Sequence, residues 1–346
     1  MLQIVVRSPN WLGDIVMSFY FLTALREQNP TAAITIITRT IYKDLFEYLP
    51  LDLKVIEVGR STNSYWHRLL EIFSLRSFFP DPPDIYYALP PSLSSAITGW
   101  FIGAKKRIGM RGQSYYLRAL FLNQLTKQLD PDRTSSHRAY EYLALLNWPR
   151  RSLPVITLKK QQLWADLAAG TGTQTIVINI NSEASSRRMP SEQWLSLLEI
   201  FKQSAYRILL IGSAKEEKHV QCLLDLLPKN HNFTIENHAG KTSIARLVEI
   251  LSQASLMISN DSGPAHLSAI LGTPTIVFFG AGDTNSTAPL NPKNAQIHIF
   301  SDHNLACAPC LKNNCKFASD NNQHLACLKN ISMEDVARKI REFLLR

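Results

Sequence analysis

A chain of 346 residues, 45% hydrophobic and 19% charged, has enough apolar material for a packed core and lies outside the composition of disordered proteins. At about 150 residues per domain, that length predicts two domains. The formal charge of +9 is concentrated in residues 102–160, where 12 Lys or Arg face 3 acids; this is either a solvated face or a site for nucleic acid, an anionic membrane surface or a phosphorylated glycolipid.

The opening apolar run, Ile4 to Val6, is strand-length and too short for a secretion signal. No apolar segment approaches the ~20 residues that cross a bilayer, so the expected location is cytoplasmic, with membrane contact at most peripheral. Apolar runs then predict strands near 2–7, 33–38, 53–58 and 84–89, with helix-period segments near 14–28, 65–76, 92–102 and 137–148. The pattern restarts after a Gly-Thr-Gly-Thr stretch, and a boundary is expected near 155–173. Strands follow near 175–181, 206–211, 256–259 and 274–279, with helices near 191–203, 214–227, 243–253 and 264–271. A last helix from Met333 to Leu345 carries one apolar stripe through Met333, Val336, Ile340, Phe343 and Leu344. Alternating strands and helices mean an α/β class with parallel sheets.

Polar motifs follow several of these strands. The first runs into Ser8-Pro9-Asn10-Trp11-Leu12-Gly13-Asp14, which puts Asp14 at a helix start, where open α/β sheets bind ligands. A capping role fits Asp14 equally well. The strand near 256–259 leads into Asn260-Asp261-Ser262-Gly263-Pro264-Ala265-His266. A helix start of this kind gathers backbone N–H donors and the positive end of the helix dipole, which suits a phosphate, and His266 adds a donor. Asp261 or Ser262 can also serve simply as the cap. Arg187 and Arg188 lie in a polar loop where paired guanidiniums can meet a diphosphate, and Glu216 or Glu217 follows another strand, placed to hold ribose hydroxyls.

Two nucleotide signatures fail. Gly240-Lys241-Thr242 resembles a P-loop end but has Ile235 at the earlier glycine position, and Gly170-Thr171-Gly172 has Thr175 where a dinucleotide fingerprint needs glycine. Cys307, Cys310, Cys315 and Cys327 are no disulfide framework in a cytosolic chain. Their first spacing fits a structural zinc site, with His303 or His324 as substitute ligand, whereas the later gaps match no standard zinc pattern.

Taken together, the segments RSPNWLGDIVMS at 7–18, RIGMRGQSYYL at 107–117, SRRMPSEQW at 186–194, LLIGSAKEE at 209–217 and AGKTSIARL through SNDSGPAHLSAILGTPTIVFFG at 239–280 resemble the ADP-heptose:lipopolysaccharide heptosyltransferases, most closely the type II members, which share the late cysteine group. The resemblance implies two Rossmann-like domains facing a cleft, the GT-B arrangement: an acceptor domain at 1–165, and a nucleotide-sugar domain at 170–346 with a cysteine loop at 303–328 and a closing helix. It implies an inverting transfer of heptose from ADP-heptose to the anionic inner core of lipopolysaccharide at the inner membrane, with no required cofactor. Asp14 would be the general base. Asp261, Ser262, Gly263 and His266 would hold diphosphate and sugar with Arg187, Glu216 the ribose, and Thr242 and Ser243 would lie near the adenosine. Lys105, Arg107 and Arg111, in the basic stretch, would meet the acceptor. The sequence departs from the family at Arg187, where Lys is usual; a planar fork replaces a point charge. The alternatives are a transferase using another ADP- or GDP-linked sugar, and a non-catalytic binder on the same fold. Nucleic-acid binding ranks last, because the basic stretch lacks interleaved aromatics.

Overall fold

The computed structural model describes residues 1–59, 72–110, 115–126, 137–149, 152–159, 174–290, 296–302 and 304–345. The chain divides into two compact units, Met1–Lys159 and Lys160–Arg346. The expected linker falls largely on residues 160–173, outside the described ones, as does most of the helix expected over 65–76.

In the first unit, β1 (Gln3–Arg7), β2 (Ala33–Arg39), β3 (Leu53–Val58), β4 (Ile85–Ala88), β5 (Lys106–Met110) and β6 (Gln124–Thr126) form one sheet in the order β3-β2-β1-β4-β5-β6. Every neighbouring pair is parallel. The second unit repeats the plan. There β7 (Thr175–Asn179), β8 (Arg207–Leu210), β9 (Thr234–Asn237), β10 (Leu256–Asn260), β11 (Thr275–Phe279) and β12 (Ile297–Ser301) are ordered β12-β11-β10-β7-β8-β9, again all parallel. Both sheets therefore reverse direction of growth beside their first strand, between β1 and β4 and between β7 and β10. In a doubly wound sheet this crevice, at the carboxyl ends of the strands, is where ligands bind.

Of the strands predicted from apolar runs, β1, β2, β7, β10 and β11 lie inside the sheets and are buried along most of their length, as parallel strands under covering helices must be, whereas β3 is an edge strand with only Ile56 and Val58 buried. Four strands escaped that pattern. The strands β6, β9 and β12 are edge or near-edge elements, with β9 and β12 only half-buried, and β5 opens on Lys106 and Arg107. None offers a continuous apolar run.

The helix Leu12–Gln28 is buried on nearly every side from Ile15 to Leu25, because it lies between the sheet and the helix Arg138–Ala144. The last helix, Met333–Leu344, packs on the helix Ser191–Glu199. Val336 and Ile340 join Trp194, Leu197 and Phe278 in the second core, with Met333, Phe343 and Leu344 along their margin. Full burial of two such side chains stabilises the unit by roughly 3–6 kcal/mol, which fixes the helix there without any special cap chemistry beyond Ser332.

Candidate active site

At the first switch point, β1 hands the chain to Ser8, whose N–H donates to the Ile37 carbonyl (3.0 Å) and whose Oγ lies 2.9 Å from Thr38 Oγ1. This clamps the turn to the neighbouring strand. Trp11, in extended conformation, is the N-cap residue of Leu12–Gln28 and makes no side-chain cap bond. Asp14 is thus the third helical residue and not the N-cap. Its Oδ1 is 3.5 Å from the Tyr142 hydroxyl, which donates to it, and 3.9 Å from Arg138 Nε. Arg138 Nη1 in turn contacts Glu141 Oε2 at 2.6 Å.

The carboxylate is 30% exposed, so one side is held by protein and the rest stays accessible. Burial, and then the charge of Asp14, push the Tyr142 phenol well above its ordinary value, so it remains a donor. Burial opposes the Arg138 charge, but Glu141, Tyr142 and Asp14 outweigh that and raise it above the usual guanidinium value. Tyr142 and Arg138 were not legible as partners of Asp14, since 124 residues or more separate them in sequence (138 − 14 = 124).

A second buried cation organises the same edge. Arg118 is fully enclosed; its guanidinium donates to the carbonyls of Pro90 (3.1 Å), Ser92 and Met110 (3.3 Å) and to Ser95 Oγ (3.2 Å). It ties the loop after β4 to the end of β5. A Cβ on Gly109 would stand 2.6 Å from Leu122 Cδ1 and 3.0 Å from Arg118 Nη2, so glycine lets the strand approach this close.

The structure does not bring Lys105 and Arg107 to Asp14. Lys105 precedes β5 and pairs at 2.8 Å with Asp84, which precedes β4. The Arg107 guanidinium bonds to the carbonyls of Phe121 (2.6 Å) and Ala104 (2.7 Å). Because the sheet is parallel, these residues occupy its amino-terminal edge, whereas Asp14 follows the carboxyl end of β1. Roughly 3.3 Å per residue over a strand separates the two edges. The sequence showed the charge but not its direction. Arg111 lies outside the described residues.

The second switch point is a buried polar network. Asn179 Nδ2 donates to Ser262 Oγ (2.7 Å), Ser259 Oγ (3.3 Å) and the Asn181 carbonyl (3.2 Å). Asn181 reaches the Ile211 carbonyl (3.1 Å), and its Oδ1 meets His219 Nδ1 at 3.0 Å. Asn260 spans the Ile180 carbonyl (2.7 Å) and the Met189 N–H (3.2 Å). Ser182 Oγ donates to the Asp261 carbonyl at 2.9 Å. The ends of β7, β8 and β10 are thereby locked in one register.

The helix Gly263–Leu271 starts within this network. Ser262 is its N-cap residue but its hydroxyl is spent on Asn179 and Ser259, so it does not cap. Pro264 has no N–H, and the Ala265 N–H donates to the Ser262 carbonyl at 3.2 Å. The amide set that the sequence offered an anion narrows to Ser262 and Gly263, and His266, the fourth helical residue, is buried.

Asp261 lies 3% exposed, with Arg187 Nη1 3.2 Å from Oδ2. Neither Asp261 Oδ2 nor Arg187 Nε has a hydrogen-bond partner, so the pair is Coulombic without good bonding geometry. Burial pushes the Asp261 carboxyl up to about 6, and Arg187 pulls back only part of that rise. Gly282 makes room for the carboxylate, since a Cβ there would stand 2.4 Å from Oδ2. Arg187 sits on a turn held by the cysteine loop: the Ser186 N–H donates to the Asn313 carbonyl (3.1 Å), Ser185 Oγ to Asn314 Oδ1 (2.8 Å) and Ser186 Oγ to the Lys312 carbonyl. Arg188 is turned into its own loop by a 2.6 Å bond to the Ser182 carbonyl, so the two guanidiniums do not act as a pair.

Two expected donor contacts have local tasks as well. The Ser213 N–H (2.7 Å) and hydroxyl (2.8 Å) both donate to Glu216 Oε2, a capping box, while Glu217 is exposed on the next helix. Ser243 caps Ile244–Gln253 by accepting from the Arg246 N–H at 3.1 Å, with Thr242 half-buried beside it. Gly240, at φ +73°, turns the chain there with its N–H on the Gly212 carbonyl (2.9 Å), so the loops after β8 and β9 meet.

Cys307, Cys310, Cys315 and Cys327 are half-buried thiols around one largely apolar pocket, and none is in a disulfide. Burial first, then the other three cysteines, push Cys327 up to about 11. Among the described residues no group of three or more His, Cys, Asp or Glu is arranged to hold a metal ion, and His303 lies outside the described residues.

Asn179, His219 and Gly282 were missed from sequence. The signal was present in part: asparagines end an otherwise apolar strand in TIVININ, and two glycines end TIVFFGAG, where a close backbone approach is needed.

Two doubly wound α/β units, each with its polar residues gathered at the switch point, have the architecture shared by glycosyltransferases of the GT-B class. Comparison with known proteins agrees and goes further. The family model for glycosyltransferase family 9 (heptosyltransferase) matches residues 82–319, and the chain belongs to that family. It is 26% identical over 321 residues to lipopolysaccharide heptosyltransferase 2 of Escherichia coli strain K12, covering 87% of this chain and 89% of that one. It is 25% identical over 350 residues to lipooligosaccharide heptosyltransferase 2 of Campylobacter jejuni, covering 99% of each. The solved structure of E. coli ADP-heptose lps heptosyltransferase II superposes with a TM-score of 0.76 at 21% identity, covering 99% of both chains.

Proposed function

We propose that this protein transfers a heptose from ADP-heptose to the inner core of lipopolysaccharide, in the manner of the type II enzymes it resembles. The observation that carries the reading is the carboxylate pair of edges: accessible Asp14, held by Tyr142 and Arg138 at one switch point, and Asp261 with Arg187 at the other. Asp14 takes the proton from an acceptor hydroxyl as its oxygen attacks the anomeric carbon. The bond from that carbon to the ADP oxygen breaks, its electron pair leaves with ADP, and the configuration inverts. Arg187 and the start of Gly263–Leu271 meet the charge growing on the diphosphate, which gives this step its cation without a cofactor. Asp261 and His266 face the donor sugar, with Glu216, Thr242 and Ser243 at the loops that would take ribose and adenine.

No described helix is long and apolar enough to cross a membrane; in this reading the acceptor carries a lipid, and the protein meets it from the cytoplasmic side as a peripheral partner of the inner membrane. Nucleic acid has no place in this scheme. Asp14→Asn tests it: transfer should fall by roughly 10²–10⁴-fold while ADP affinity stays within about twofold. A fully active variant would falsify the base assignment, and unchanged ADP binding with no turnover in the parent protein would make it a binder.

A further inference from the structure

The residues that failed to reach Asp14 border a different feature. Of the 14 large apolar side chains standing exposed among the described residues, six fall between Phe73 and Leu120. Phe73, Trp100, Leu117 and Leu120 stand on segments that touch one another. Phe73 meets Phe101 edge to face with centroids 4.4 Å apart, and Trp100 meets Phe121 at 5.8 Å, which joins the segment 72–79, the helix Leu93–Phe101 and the segment 115–122. The helices Leu93–Phe101 and Tyr115–Ala119 pack together; Leu117 stands on the second, and Leu120, 71% exposed, is the residue that follows it. Scattered exposed apolar side chains need no explanation, but a contiguous group of aromatic and aliphatic ones marks an interaction face.

Cations line that face. Gly103, at φ +76°, closes the helix with its N–H on the Trp100 carbonyl (3.0 Å), and the chain returns as exposed Lys105 and Lys106. Of the other Lys or Arg in residues 72–126, Arg118 is buried, Arg76 and Arg107 bond to backbone carbonyls, and Arg111 lies outside the described residues, so Lys105 and Lys106 are the exposed cations described there. Aromatic rings close to lysines, exposed among the described residues, suit the headgroup boundary of a bilayer, where rings bury and ammonium groups meet lipid phosphates.

We propose that the face formed by Phe73, Trp100, Leu117 and Leu120, with Lys105 and Lys106 at its rim, docks this protein on an acidic phospholipid surface. The inference rests on the reading that the acceptor is membrane-borne; it gives Lys105 a contact with lipid phosphate in place of the acceptor, and adds Lys106 beside it.

Flotation of the full chain with vesicles of phosphatidylethanolamine and phosphatidylglycerol (3:1), against pure phosphatidylcholine, tests it. The protein should float with the acidic vesicles only, and raising NaCl from 0.1 to 0.5 M should release most of it. Leu120→Glu should lower the bound fraction at least about tenfold and Lys106→Ser roughly fivefold, since one cation near such a surface is worth about that factor. Both variants should transfer heptose to a lipid-free core acceptor at the parental rate, which shows that they fold and separates this proposal from the reaction chemistry. Equal binding to both vesicle types, or parental flotation by Leu120→Glu, overturns it. So does a dimer in light scattering that Leu120→Glu abolishes, because the face would then belong to a second copy.

Discussion

Asp261→Asn should stabilise the protein at alkaline pH while damaging it as a transferase. The folded carboxyl titrates at about 6 against 3.8 for an ordinary Asp, and burial is the leading cause. A group raised in the folded state adds stability fully below its unfolded value, and that stability is lost as pH rises through about 6. From (6 − 3.8) multiplied by about 1.36 kcal/mol per unit, ionised Asp261 costs on the order of 3 kcal/mol above pH 7. The Asn amide must find acceptors in a pocket shaped for a carboxylate, and Arg187 loses its counter-charge, so a net gain of roughly 2 kcal/mol is the expected size. In a unit of this length that is roughly 4–8 °C in midpoint. The gain should vanish at pH 4.5, where the folded wild-type carboxyl is largely protonated and its remaining cost of about 1 kcal/mol only matches the offset from the amide and Arg187. Calorimetry of full-length parent and variant at pH 8 and pH 4.5, with ADP-heptose turnover measured alongside, gives the answer. A variant less stable than the parent at both pH values, by the same amount, would refute the idea that desolvation of this carboxylate dominates.

Arg118→Met should leave the carbonyls of Pro90, Ser92 and Met110 without a buried donor and lower stability by roughly 2–4 kcal/mol, read as a shift in urea midpoint. Tyr142→Phe removes one long hydrogen bond to Asp14 and should reduce kcat roughly 3–10-fold with KM for the donor unchanged, because the phenol holds the carboxylate and touches no donor atom in the scheme above.

How much of this was legible depends on what kind of signal each residue emits. The strands β1, β2, β7, β10 and β11 are apolar for nearly their whole length, so their place in the middle of a sheet could be read directly. The strands β5, β9 and β12 are not, since one or both faces meet solvent or polar neighbours, and their register depends on the strand they join. Asp14 and Asp261 were visible because each stands between an apolar run and a helix period, a place that chain order alone defines. Tyr142 and Arg118 were not, because what matters about them is a contact with residues far away in sequence. Lys105 and Arg107 show the opposite failure: a charge count locates cations along the chain but not at an edge of a sheet, and these two belong to the edge where strands begin.

The polar residues at the second switch point divide by whether their bonding is complete. Asn179, Asn181, Asn260 and Ser262 bond to one another and to strand-end carbonyls, Ser243 caps a helix, and Glu216 closes a capping box. Each of these is accounted for by the fold alone. Asp261 and Arg187 are different. The pair leaves Oδ2 and Nε buried without hydrogen bonds, and Gly282 makes room for the carboxylate. A buried carboxylate raised to about 6 is costly to maintain, and nothing in the packing of the unit requires it. The arrangement makes physical sense when a ligand supplies what is missing: hydroxyls to donate to Asp261, and an anion to draw the Arg187 fork away from it.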